Sequence, residues 1–573
     1  MAETAAIQTS YDEVPYESNP FPWTHPDQLA VVATLFGMQP PAPDRCRVLE
    51  LGCASGGNLI PMALDLPASR FTGIDLSPRQ IGDGRKVIEA LGLTNIELQA
   101  MSILDVNRDF GTFDYIICHG VYSWVPREVQ EKILAICAEN LAPNGVAYVS
   151  YNTYPGWHLR GMIRDMMLYH ARRFADPAVR VQQARALINF LAQSVRGGGA
   201  ADPERLAGEI EYFRSATDSQ LYAREATRLR KLLDQLRQHL GHESAYAVLL
   251  KTELDYLRKK EFAYLFHEYL EEVNEPVYFY QFAERAAARG LQYLGEVQIS
   301  AMVAGNFGAE IEQTLRQIST DLIHMEQYMD FLRNRMFRRS LLCHQGIPIT
   351  HTLYPDTVRR LHVSSSAQPV TPAVDLRTNA PAEFRGRDGV PLTTREPLMK
   401  AALAHLAAVY PQSVAFDELR QAARSRLDSD PAAQVFTMDR DVQILGTGIL
   451  NCCTLSSAVG LHVLPRRCAA VPGERPVASP LARLQAERGR RVTNLRHESV
   501  ELDEFARQVV RHLDGTRDRQ ALLEVVVDLV GKTRLTVHED NQPVTDPARL
   551  RVILTQVLDQ TLPRLAKYAL LVE

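Results

Sequence analysis

The 573-residue chain has no run of about 18 apolar residues, the length a helix needs to cross a bilayer, so no membrane insertion is expected. Its first residues, MAETAAIQTSYDEVPYESNPFPW, show no basic stretch followed by an apolar one, and no secretory signal is expected there. Cysteine is scarce. The eight are irregularly spaced, most lie in apolar runs (Cys46, Cys118, Cys137), and none pairs at zinc-knuckle spacing. No metal site is therefore expected, and the adjacent Cys452 and Cys453 read as buried thiols in a reducing cytoplasm. Positive charge is not in excess: 63 basic against 68 acidic residues leave −5, which excludes a global field for nucleic acid. Only nine of the basic residues are lysine, a compositional habit without functional meaning. Glycine (32) and proline (32) are too few for long low-complexity linkers. No Gly-x-Ser-x-Gly elbow, Walker loop or paired catalytic carboxylates occur. His239-x-x-His242 has no carboxylate partner in a zinc pattern and reads as chance spacing. What is present, 46% apolar and 23% charged residues, describes a globular chain of roughly three to four domains.

Short apolar runs alternate with helical patterns from Arg47 to about Thr153. VLELG, FTGIDL, IELQAMSI, FDYIICHG and GVAYVSYN are the expected strands, and GNLIPMALDL, PRQIGDGRKVIEALG and PREVQEKILAICAENL the intervening helices. The runs lack in/out alternation, so an α/β fold with a parallel sheet covered on both faces is expected. Residues 160 to 335 read as almost continuously helical, broken by the loop VRGGGAADP (Val195 to Pro203). Ile311, Leu315, Ile318, Leu322, Met325, Met329 and Leu332 form an apolar face expected to be core. Arg160 to Lys260 carry 18 basic and 12 acidic residues, read as solvated helix faces, as are His267 and Glu268. Gly346 to about Thr394 read as a linker with short strands. Two later blocks, from Glu396 and from Glu501, each place a turn between helices and read as winged-helix-like units.

The chemistry concentrates in VLELGCASGGNLIPMA. An apolar strand runs into Glu50-x-Gly52-x-x-x-Gly56, and a helix opens near Asn58. Glycines let a backbone approach a ligand closely, and a helix start offers free N–H groups. Twenty-five residues after Glu50, a second strand ends in Gly73-Ile74-Asp75, placing an acid to bind ribose hydroxyls. A dinucleotide site would use Gly-x-Gly-x-x-Gly beneath a pyrophosphate. This turn, with an acid two places before its first glycine, suits the amino-acid end of S-adenosylmethionine instead.

Further segments extend the pattern: SYDEVPYES, THPDQLA, FDYIICHGVYSWVP, VSYNTYPGW, EQYMDFLRNRMFRRSLLCH and HLDGTRDRQALL. With the glycine turn, they resemble the bacterial class I methyltransferases that carry a methyltransferase regulatory domain and a C-terminal winged-helix domain. Known members methylate lysines of bacterial outer-membrane proteins. The resemblance implies a Rossmann-like methyltransferase sheet, an α-helical regulatory domain and a winged-helix-like α+β domain. The implied boundaries are 1–45 for an N-terminal lid, 46–170 for the methyltransferase domain and 171–340 for the regulatory domain. A linker with short strands would occupy 341–395 and the winged-helix-like domain 396–573.

For the cofactor, the resemblance implies Glu50, Gly52, Ala54 and Gly56 in the turn, Asp75 on the ribose and Leu76 beside the adenine. Ser102 and Ile103 would border the adenine, His119 and Gly120 would stand near the sulfonium, and Tyr11, Tyr16 and His25 would form a lid. A lysine nucleophile must lose a proton from a group of ordinary pKa about 10.4, which burial beside a sulfonium assists. Aromatic walls suit such a channel, and Tyr122, Trp124, Tyr151, Tyr154 and Trp157 cluster after the fourth and fifth strands. His158 and Asp165 are candidate proton acceptors. The expected partner is a protein substrate, an outer-membrane protein among the candidates, with nucleic acid not expected and the oligomeric state left open. Two rivals stand: a small-molecule methyltransferase, and a methyl-donor-sensing regulator that binds DNA without turnover.

Overall fold

The computed structural model describes residues 13–15, 17–194, 245–427, 438–532, 537–539, 542–544 and 546–572. Tyr11, Tyr16, the VRGGGAADP loop and His239-x-x-His242 lie outside the described residues. The chain divides into two compact units, residues 18–151, 277–333 and 338–573 in the larger and residues 1–17, 152–276 and 334–337 in the smaller.

In the larger unit, helix α1 (Pro26–Leu35) precedes strand β1 (Arg47–Leu51), helix α2 (Leu59–Asp65), strand β2 (Arg70–Asp75) and helix α3 (Pro78–Leu91). Strands β3 (Ile96–Ala100) and β4 (Phe113–Cys118), helix α4 (Arg127–Glu139) and strand β5 (Leu141–Asn152) follow. Local chemistry sets these bounds. Ser77 caps α3 by accepting from the Gln80 N–H, Pro78 pre-sets its first turn, and Gly92 ends it at φ 63°. The five strands are the expected ones, and the neighbouring pairs β1–β2, β2–β3, β1–β4 and β4–β5 are parallel.

The expectation of near-continuous helix from 160 to 335 is corrected by strand β6 (Leu291–Glu296), which follows helix α5 (Phe279–Ala287). After helix α6 (Leu322–Arg333), strand β7 (Phe337–His344) pairs antiparallel with β6. Together they complete a seven-stranded sheet of order β3-β2-β1-β4-β5-β7-β6. The sheet therefore draws on residues far beyond 170. Alternate side chains serve its two faces: Val48, Phe71 and Tyr115 pack with α1, α2 and α3, whereas Leu49, Leu51 and Ile116 pack with α4 and α5.

The apolar face expected from Ile311 to Leu332 is only partly core. Leu315 and Met329 are buried, but Ile311, Ile318 and Leu332 are exposed. The reason is a break: one helix ends at Ile318, and Asp321 accepts the His324 N–H at the start of the next, so the helical phase resets.

Residues 345–394 are also more than a linker. Val358, Leu361, Val363, Phe384 and Leu392 share a core with Leu403, Phe416, Leu445 and Ile449. Strands His362–Ser365, Val414–Ala415 and Val459–His462 form a three-stranded sheet beside helices Pro397–Val409, Phe416–Leu427 and Met438–Leu455. A second C-terminal core, around Val509, Leu558 and Leu565, begins near Ala478. The first of these modules is tied to α1: Asp27 accepts from the N–H groups of Val463 (2.7 Å) and Leu464 (2.9 Å) and contacts His462.

The smaller unit is helical, with a core of Ile163, Met167, Ile188, Leu250, Leu254 and Phe266. Here the expected solvated face is corrected at His267, which is buried between the Val14 carbonyl (2.6 Å) and Glu271 (2.7 Å). Glu268 is half-buried, and that burial pushes its carboxyl up to about 7. Every cysteine is free. Among the described residues, no His/Cys/Asp/Glu group could hold a metal ion, and no helix is long and apolar enough to cross a membrane.

Candidate active site and family

Strand order reverses between β1 and β4, and the crevice outside strand ends at such a reversal is where open α/β sheets take ligands. The glycine turn lies there. Gly52, Ala54 and Gly56 all have positive φ, at 75°, 49° and 75°. A β-carbon on Gly52 would stand 2.4 Å from Val121 Cγ2, and one on Gly57 would stand 2.3 Å from the Ser18 carbonyl oxygen. Gly52 needs glycine for space as well as for conformation, and Gly57 for space.

Asp75, at the end of β2, braces the turn: one carboxylate oxygen accepts from the Ala54 N–H (2.9 Å) and the other from the Ser77 N–H (2.9 Å). Leu76 beside it is 53% exposed, an apolar side chain left open at a strand end. Ser102 caps a short turn by accepting from the Leu104 N–H, with Ile103 half-buried within it.

Glu50 is buried beneath the turn, with Oε1 accepting from Asn58 Nδ2 at 2.7 Å. Its Oε2 is buried with no hydrogen-bond partner among the described residues. Burial, with the nearby negative Asp75, pushes the Glu50 carboxyl up to about 8 despite the Asn58 hydrogen bond. A buried carboxyl with an unused oxygen fits a positively charged ligand group, and the strained turn and open Leu76 fit a nucleoside beside it. The residues present thus fit S-adenosylmethionine.

Within the residues expected to form a lid, sequence reasoning named neither Ser18, Phe21 nor Trp23, which lie close to this turn. Ser18 Oγ accepts from the Gly57 N–H (2.7 Å), and the Phe21 N–H donates to Asn58 Oδ1 (3.0 Å). The Phe21 ring lies 4.0 Å from His119, and Trp23 carries Arg339 4.6 Å over its face. The stretch SNPFPW, rich in aromatics and proline, is the sequence signal for them. His25, expected in a lid, is buried, caps α1 and approaches Asp65 (3.4 Å).

His119 and Gly120 do meet at the end of β4. The Gly120 N–H donates to Ser150 Oγ (2.8 Å), and His119 Nδ1 lies 2.8 Å from Tyr148 Oη. Burial, and then the charge of Arg339, holds His119 down to about 3, so its ring is neutral.

The residues of the expected aromatic cluster belong partly to each unit. Tyr122 and Tyr151 come together, with Phe282 4.2 Å from Tyr151, but both are fully enclosed in the core under α4 and α5. Trp124 is half-buried at the end of β4. Tyr154, Trp157, His158 and Asp165 belong to the smaller unit. There Tyr154 stacks on His158, Trp157 Nε1 donates to Asn274 (2.7 Å), and the Asp165 carboxylate is open to solvent.

Residues 48–145 match a methyltransferase domain, 261–344 a predicted methyltransferase regulatory domain and 474–570 the PKMT C-terminal winged helix domain. The chain is also similar to the solved PKMT2 from Rickettsia typhi, at 30% identity over 97% of this chain and 100% of that one, with a TM-score of 0.81. The chain belongs to the bacterial protein-lysine methyltransferase (PKMT) family. That R. typhi protein has also been solved in complex with AdoHcy, with a TM-score of 0.79 to this chain over 98% of it and 100% of the other. An uncharacterized protein of Rickettsia prowazekii is 33% identical over 99% of this chain and 95% of its own length. As a PKMT-family member the chain is a class I, S-adenosylmethionine-dependent methyltransferase.

Proposed function

We propose that this PKMT transfers methyl groups from S-adenosylmethionine to lysine side chains of another protein, an outer-membrane protein among the candidates. The observation that carries the cofactor half is the buried, half-satisfied Glu50 beneath a glycine turn braced by Asp75. Full-length similarity to PKMT2 supports the lysine half. The eight free thiols support a reducing, cytoplasmic compartment.

In this reading Glu50 holds the amino-acid end of the cofactor, Asp75 the ribose, and Leu76, Ser102 and Ile103 the adenine. Bound S-adenosylmethionine supplies an electrophilic methyl group on a sulfonium. His119, kept neutral, puts no positive charge beside that sulfonium. Burial of an incoming lysine favours its neutral, nucleophilic form, so positioning and desolvation replace a strong base. Trp124, half-buried, is the candidate for an aromatic wall beyond β4. Tyr122 and Tyr151, wholly enclosed, act by packing.

Glu50 makes cofactor binding depend on pH. Its folded-state pKa is raised, so the unliganded chain holds a neutral carboxyl below about 8 and loses stability as pH climbs from 4.5 towards 8. A bound ammonium favours the carboxylate, so binding expels a proton. Affinity for S-adenosylhomocysteine is expected to rise by up to about tenfold per pH unit between roughly 6 and 7.5. Titration calorimetry at several pH values checks this, and Glu50→Gln should flatten the profile. A flat wild-type profile would remove Glu50 from the cation's surroundings.

The substrate is tested by incubating the protein with methyl-labelled S-adenosylmethionine and a bacterial extract that includes its envelope fraction. Label should appear in a few protein bands and be recovered as methyl-lysine after hydrolysis. Label confined to soluble small molecules would overturn the protein-substrate reading.

A further inference from the structure

The winged-helix domain ends one of its hairpins against the cofactor turn. The hairpin pairs Arg491–Thr493 with Ser499–Glu501. Its tip is built rather than loose: Asn494 Oδ1 accepts from the N–H groups of Arg496 (2.9 Å) and Glu498 (2.8 Å). Asn494 Nδ2 donates to the Tyr568 carbonyl (2.9 Å), and the Leu495 N–H donates to the Ala569 carbonyl (2.8 Å). The tip is thereby fastened to the end of helix Pro547–Lys567.

On this tip His497 adopts a left-handed φ of 60°, a conformation that disfavours a β-branched or bulky side chain and is held here by the surrounding bonds. His497 is 4% exposed, and its Nε2 lies 2.8 Å from Asn58 Oδ1, 439 residues away in sequence. The neighbours of Asn58 fix its amide orientation. The Phe21 N–H needs an acceptor, so Oδ1 faces it, and Nδ2 faces Glu50. His497 is therefore the donor, through Nε2–H. Burial, and then the charges of His25 and Arg466, keeps the ring neutral, which leaves it one N–H to give.

We infer that the C-terminal domain completes the cofactor site: His497 is a positioning residue that locks Asn58, and Asn58 in turn holds Glu50 under the glycine turn. This rests on the reading of that turn as the site of the methyl donor. Its consequence is specific. Docking of the winged-helix hairpin sets the affinity for S-adenosylmethionine although no atom of the hairpin need touch it.

The test uses the full chain and calorimetric binding of S-adenosylhomocysteine. His497→Asn retains a residue tolerant of left-handed φ but shortens the reach, and should weaken binding about tenfold, the effect of one hydrogen bond of ordinary strength. His497→Gln keeps an N–H at comparable reach and should stay within about twofold of wild type. Equal weakening by both variants, or binding unchanged in His497→Asn, would overturn the inference. Hydrogen exchange on the wild type gives a reading that needs no variant to fold. Amides 494–498 should gain protection when S-adenosylhomocysteine binds, and unchanged exchange on binding would also overturn it. A wild-type chain that binds no S-adenosylhomocysteine would overturn the cofactor reading itself.

Discussion

Replacing Arg338 by methionine is expected to destabilise the protein by about 3–5 kcal/mol, the scale for removing one partner of a buried ion cluster. Arg338 is wholly enclosed, and so are its partners. Its Nε and Nη2 grip both oxygens of Asp330 (2.7 and 2.9 Å), Nη1 meets Glu296 (3.0 Å) and Nη2 meets Glu326 (3.0 Å). The guanidinium also lies 3.7 Å over the Phe279 ring. One cation thus ties β7 to β6 and to α6, and its loss leaves three carboxyls in a dry space. They would respond by taking up protons, which raises their folded-state pKa values. The variant should therefore lose stability as pH rises. Thermal midpoints at pH 5.5 and 8, with hydrogen exchange across β7, check both statements, and a wild-type midpoint at pH 8 would deny the cluster its structural role. Arg338→Lys should fail almost as badly, because an ammonium cannot reproduce the fork that reaches three acids.

How far the molecule was legible in its sequence follows the range of the contacts. The β1 turn, Asp75 and the first five strands are local patterns: strand, glycine, helix and acid succeed one another within 30 residues of Glu50. Strands β6 and β7 were not legible. LQYLGE is only six residues long behind a single glycine, Gly290, and no pattern in RNRMFRRSLL marks Arg338 as fully buried. Residues 345–394 looked like a linker because their pieces are short, and they become core only when the helices after Pro397 close over them. Asn58 stood in the recognised motif yet showed no role. Its partners, Phe21, Thr24 and His497, lie 37, 34 and 439 residues away, and no periodicity reports such distances. The burial of Tyr122 and Tyr151 was not legible for a different reason. Tyr122 and Tyr151 are near in sequence to the strand ends, but alternation along β5 and the turn after β4 send them inward.

Asp75→Ala should weaken binding of S-adenosylhomocysteine by about 1.5–3 kcal/mol, roughly tenfold to 150-fold in Kd, as expected for a hydrogen bond to a charged group. Two roles contribute. The carboxylate holds the Ala54 N–H, and with it a non-glycine residue at φ 49°, and in the proposed site it also receives the ribose hydroxyls. The two can be separated by ligand and by variant. 5′-Methylthioadenosine keeps the ribose and lacks the amino-acid end, so Asp75→Ala should weaken both ligands by similar factors. Glu50→Gln should weaken S-adenosylhomocysteine and leave 5′-methylthioadenosine nearly unchanged. Asp75→Asn, which can still accept from the Ala54 N–H, should fall between wild type and alanine. If Asp75 only braces the turn, asparagine would restore wild-type affinity, and the ribose assignment would fall. If it binds ribose as well, loss of the negative charge must show for both ligands, because a neutral amide accepts hydroxyl hydrogens less strongly than a carboxylate does.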